Sequence, residues 1–147
     1  MKIRNQAVER YRFVEHTADA KFQAFGSSLE EAFGNAALAL SSLMWEWEKI
    51  DTASKQKIAV LARDQFQLLL VFLEEILFLF ETKNFMVGGV KDLCISRSES
   101  GYSLTGWFAG ENITDKHRIS GDVKAVTYNE MKIEKNDRFV VQVVVDV

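Results

Sequence analysis

Val90-Lys91-Asp92-Leu93-Cys94-Ile95-Ser96-Arg97, then Ser98-Glu99-Ser100-Gly101, then Tyr102-Ser103-Leu104-Thr105-Gly106-Trp107-Phe108-Ala109: two β-favouring runs joined by a turn decide the fold class of this chain. The same character returns in Val123 to Tyr128, Met131 to Glu134 and Phe139 to Asp146. These segments follow one another through short turns and do not alternate with helices, which favours a largely antiparallel sheet over a parallel α/β arrangement.

Working outward, Tyr11 to Glu15, Ala20 to Phe25 and Lys57 to Ala62 add three further strands of short aromatic and apolar character. Between them Gly26 breaks a strand, and Ser28-Leu29-Glu30-Glu31 carries the serine-to-glutamate spacing of a capping box. Leu29, Ala32, Phe33, Ala36, Ala37, Leu40, Leu43, Met44 and Trp47 then recur at three and four residues and predict one long amphipathic helix. Asp64 with Gln67 opens a second helix, whose apolar residues lie all round and predict burial between other elements, with Glu74 and Glu75 on its wetter side. The expectation is an α+β fold of about seven strands, with largely antiparallel sheet packed against two main helices, in a single domain over residues 1–147.

Composition narrows the partners. With 18 Lys plus Arg against 21 Asp plus Glu and no basic run, the chain has no global attraction for phosphates, so DNA is not expected and any RNA is held mainly by another protein. Phe66 to Phe80 is apolar at 12 of 15 positions, yet Gln67, Glu74 and Glu75 interrupt it and it falls short of the roughly 20 residues of a membrane span. Met1 to Gln6 lacks the apolar core of a secretory signal, and the one cysteine, Cys94 between Leu93 and Ile95, reads as a buried strand thiol, so a cytoplasmic location is expected.

The candidate chemistry sits near the two ends of the chain. Glu15-His16-Thr17-Ala18-Asp19 forms a turn between two strands, and the last strand stops at Asp146-Val147. Asp19, Asp146 and the Val147 main-chain carboxylate offer oxygen ligands of the kind that Ca²⁺, Mg²⁺ or Mn²⁺ prefers. His16 suits a softer metal and reads as stabilising the turn, Thr17 bonds back to its own backbone, and His117 reads as a solvated loop residue. His16 and His117 are therefore supporting candidates beside the carboxylates.

His16-Thr17-Ala18-Asp19, Phe25-Gly26-Ser27-Ser28-Leu29-Glu30-Glu31-Ala32-Phe33, Asn35-Ala36-Ala37-Leu38-Ala39-Leu40, Val123-Lys124-Ala125-Val126-Thr127-Tyr128 and Val144-Val145-Asp146-Val147, in this order, together resemble the archease family. The resemblance implies an α+β fold, metal binding by Asp19, Asp146 and Val147 with Ca²⁺ as the first expectation, and a functional role for Lys124. It also implies a non-catalytic activator of the RtcB-type RNA ligase in tRNA splicing and RNA repair, promoting guanylylation of the ligase histidine, multiple turnover and broader nucleotide use. Asp19, Lys124 and Asp146 would then form the charged tip that meets the ligase. Rival readings are a chaperone-like modulator of a tRNA-modifying enzyme and a metal-dependent phosphoesterase built on the two aspartates. The chain departs from the family pattern at Ala20-Lys21, which sets a positive charge close to Asp19, and at Phe72-Leu73-Glu74-Glu75, where a tryptophan and an asparagine are common.

Overall fold

The computed structural model describes residues 9–15 and 19–147, so the expectations placed on Met1 to Gln6, His16 and Thr17 lie outside the described residues. The chain runs through β1 (Tyr11–Val14), β2 (Ala20–Gly26), α1 (Leu29–Ser42), a 3-10 turn at Trp47–Lys49, β3 (Ser54–Ala62), α2 (Gln65–Lys83), β4 (Phe85–Ser98), β5 (Gly101–Asn112), β6 (Ala125–Lys135) and β7 (Phe139–Asp146). The strands form two sheets, ordered β1-β2-β7-β6 and β3-β5-β4, with every neighbouring pair antiparallel. This is the expected α+β architecture.

Alternation along β2 and β7 sends Phe22, Ala24, Val141, Val143 and Val145 into one hydrophobic cluster shared with both helices and the second sheet. Phe72 of α2 joins these layers: its ring lies 5.8 Å from Phe33 of α1 and 5.4 Å from Phe108 of β5. Burial of such large side chains on all sides fixes where each sheet must sit.

Both helix starts follow their sequence signals. Ser28 Oγ accepts from the Glu31 amide, and the Glu31 carboxylate accepts in return from the Ser27 amide at 2.6 Å. Asp64 caps α2 by accepting from the Gln67 amide at 2.8 Å. The end of α1 differs from expectation, because Leu43, Met44 and Trp47 lie beyond Ser42. The Ser41 and Ser42 hydroxyls bond back to Ala37 and Ala39 carbonyls, and the chain then turns to bury Trp45, whose indole N–H donates to the Val87 carbonyl at 2.8 Å. Nor is α2 buried all round, since Phe66 and Phe78 are exposed while Leu68, Leu69, Phe72, Leu73, Ile76 and Leu79 face the core. Among the described residues no helix is long and apolar enough to cross a membrane.

Two irregularities shape the strands. Ala125 to Tyr128 and Met131 to Glu134 belong to one stretch of β6, which begins two residues later than the expected Val123 and is interrupted between Thr127 and Lys132, where Glu130 adopts φ 51°. In β4 the pairing passes from Lys91–Trp107 to Cys94–Thr105, so Asp92 and Leu93 stand opposite Gly106 alone. That bulge turns Cys94 outward, and the cysteine is exposed, not buried as its apolar neighbours suggest. Gly106 accommodates it at φ 157°, where a Cβ would come within 2.7 Å of a Leu93 methyl.

Candidate functional site

Sheet order brings the separated motifs together. β7 lies between β2 and β6, and the ladder pairs Ala20 with Val145 and Ala125 with Asp146. One step beyond the Ala20–Val145 pair, the same antiparallel register sets Asp19 opposite Asp146. On the other side, the Lys124 amide donates to the Asp146 carbonyl at 2.8 Å. Asp19, Asp146 and Lys124 thus meet at one end of the first sheet, although 127 positions separate the two aspartates in sequence (146 minus 19). Both aspartates are half-buried, Lys124 and Val147 are exposed, and neither aspartate has an ion-pair partner among the described residues.

The approach to Lys124 is held by its loop. The Ser120 amide donates to the Met44 carbonyl at 2.8 Å, and a side chain at Gly121 would run into the Leu43 carbonyl oxygen. Val123 is buried, which leaves Lys124 to emerge at the start of an edge strand.

Lys21 does not reach across to Asp19. Its Nζ binds Glu130 Oε1 at 2.9 Å, and Glu130 is presented by the irregular part of β6. Gln142 supports this arrangement by donating to the Glu130 carbonyl at 2.7 Å while accepting from Gln23 at 3.0 Å. Sequence spacing carries no sign of this network, because it depends on the β6 interruption.

His117 is not the solvated residue expected from its loop position; its side chain is 6% exposed. The Thr114 amide donates to Nδ1 at 2.8 Å, which leaves the neutral ring's proton on Nε2. Nε2 stands 3.0 Å from Glu111 Oε2, short of full hydrogen-bond alignment but close enough for its N–H to favour the ionised carboxylate. The imidazole, the Asp51 amide at 2.8 Å and the Lys116 ammonium at 3.5 Å hold the Glu111 carboxyl well below its ordinary 4.5, at about 2. His117 therefore serves the β5–β6 loop through Thr114 and Glu111, and its contacts give it no supporting position beside the aspartates.

The arrangement at the sheet end offers two opposed carboxylates and a cation. Directly opposed like charges on neighbouring strands repel, and a cation between them would reverse that repulsion. Among the described residues no group of three or more His, Cys, Asp or Glu side chains could enclose a metal, so any ion there would also need main-chain oxygens and water.

The chain is similar to known proteins over most of its length. The model of the Archease protein family (MTH1598/TM1083) matches residues 11–147, which include Asp19, Lys124 and Asp146. A protein archease from Pyrobaculum calidifontis is 40% identical over 140 residues, covering 93% of this chain and 95% of that protein. One from Methanosarcina mazei is 35% identical over 141 residues, covering 95% and 97%. The solution structure of Methanobacterium thermoautotrophicum protein 1598 superposes with a TM-score of 0.80 at 34% identity, covering 93% of this chain and 98% of that one.

Proposed function

Because the chain belongs to the archease family, whose members serve RNA ligation as accessory proteins, we propose that it activates an RtcB-type RNA ligase. In this reading it promotes guanylylation of the ligase histidine, sustains multiple turnovers and widens nucleotide use, while RNA contact is left mainly to the ligase. The observation that carries the proposal is the meeting of Asp19, Asp146 and Lys124 at one exposed sheet end, where two opposed carboxylates stand without ion-pair partners among the described residues.

Asp19, Asp146 and the Val147 carboxylate are the groups that would hold a divalent cation, and their all-oxygen character fits Ca²⁺, Mg²⁺ or Mn²⁺ better than a softer metal. Such an ion supplies positive charge that helps neutralise phosphate oxygens. Lys124, exposed beside Asp146 and without an ion pair among the described residues, would contact a phosphate or a carboxylate of the ligase. Lys21, already engaged by Glu130, takes no direct part.

Calorimetric titration with Ca²⁺, Mn²⁺ and Mg²⁺, run beside a guanylylation assay of the ligase, tests the proposal. Asp19→Ala and Asp146→Ala should each weaken cation binding and remove stimulation, and Lys124→Ala should reduce stimulation with cation binding retained. Unchanged cation binding in the double aspartate variant would remove the metal from the proposal. Unchanged stimulation in all three variants would remove the site.

A further inference from the structure

The outer face of the second sheet carries a feature that composition conceals. The β3–β5 register pairs Lys57 with Trp107 and Lys55 with Ala109, while β4 pairs Lys91 with Trp107 from the other side. The Lys55 and Lys57 ammonium groups each lie 5.5 Å from the centre of the Trp107 ring. All three lysines are exposed, and none has an ion pair among the described residues. Two acids of the same strands are engaged elsewhere. Asp92, displaced by the bulge, lines a groove with Glu30 and Glu31 of α1, and Glu111 is held by Lys116 and His117. Lys55, Lys57 and Lys91 are scattered over 37 sequence positions, so they form no basic run, yet the sheet sets them around one indole.

We propose that this face, with Trp107 at its centre, binds single-stranded RNA, one base stacking on the indole while Lys55, Lys57 and Lys91 contact successive phosphates. An aromatic ring ringed by cations on an open sheet is the arrangement by which sequence-tolerant single-strand binders combine stacking with charge neutralisation. The choice of RNA rests on the RNA-ligation reading above; the stacking and charge arguments stand without it.

Fluorescence anisotropy with a labelled oligouridine of about 10 nucleotides tests the proposal on the full chain at low salt. Three phosphate contacts predict a slope of log K against log salt near −2, and each of Lys55→Gln, Lys57→Gln and Lys91→Gln should reduce its magnitude by about 0.7. Trp107→Ala should weaken binding roughly 5- to 150-fold, with much of the loss restored by Trp107→Phe. The lysine variants are surface changes that leave the fold intact, so they keep the test decisive if Trp107→Ala unfolds. Absence of binding by the unmodified chain, equal binding of duplex RNA, a preference for the deoxy oligomer, or equal binding by the triple lysine variant would overturn the proposal. Guanylylation of the ligase without RNA separates the two readings: the unmodified chain and the lysine variants should stimulate it equally, failure of the unmodified chain would count against the activator reading alone, and failure of the lysine variants alone would make this face a ligase contact and overturn the RNA proposal.

Discussion

Asp19 and Leu40 test, at single positions, the difference between a residue kept for chemistry and one kept for packing. Asp19 is half-buried with another carboxylate opposite it in the extended register, so Asp19→Ala removes repulsion and should change stability by about 0.5 kcal/mol or less. Leu40 is fully buried on α1, and Leu40→Ala should cost about 2–5 kcal/mol. Thermal melts that placed Asp19→Ala below Leu40→Ala would make Asp19 a structural residue. Glu111 gives a pH-dependent counterpart. Its carboxyl titrates at about 2 in the folded chain against an ordinary 4.5, so its contribution is fully present above about pH 4.5 and is lost as pH falls through about 2. The unmodified chain should therefore lose stability over that window more steeply than Glu111→Gln; parallel pH–melting curves for the two would show that the His117, Asp51 and Lys116 contacts do not stabilise the carboxylate.

At the scale of elements, what could be read from sequence is what depends on neighbours a few positions away. The Ser28 and Asp64 caps are of this kind, since each side chain bonds an amide three residues on, and both appear as expected. The end of α1 was not legible, because the spacing of Leu43, Met44 and Trp47 continues the helical stripe while the chain leaves the helix to give the Trp45 indole its partner 42 residues away. Cys94 fails for a related reason: alternation predicts burial only if the strand is regular, and the two-for-one bulge opposite Gly106 reverses the count. The same bulge lets Lys91 and Cys94 share the outer face, so the basic patch around Trp107 was equally invisible. Gly106→Ala puts a side chain at φ 157° and against Leu93, and should cost about 1–3 kcal/mol. Chemical denaturation would measure it, and a variant as stable as the original would mean that the bulge relaxes without cost.

At the scale of the whole molecule, the candidate site depends on a strand order that no local pattern states. Asp19 and Asp146 could be singled out as oxygen donors from their motifs, but only the placement of β7 between β2 and β6 makes them neighbours of each other and of Lys124. This placement also separates the strand's structural task from its terminal one. Val141, Val143 and Val145 are fully buried, all three pair with β2, and Val141 and Val145 also pair with β6, so β7 stays anchored whatever follows Val147. Several residues appended after Val147 leave the Asp146 side chain in place, remove the carboxylate from the Val147 position proposed as a ligand, and add bulk at the sheet end. Such an extension should sharply reduce stimulation of ligase guanylylation, whereas an equal extension at Met1 should not, and both proteins should melt close to the unmodified chain. Full stimulation by the carboxyl-terminal extension would mean that neither a carboxylate at Val147 nor an unobstructed sheet end is required, and the activity would then have to rest on the side chains of Asp19, Asp146 and Lys124 alone.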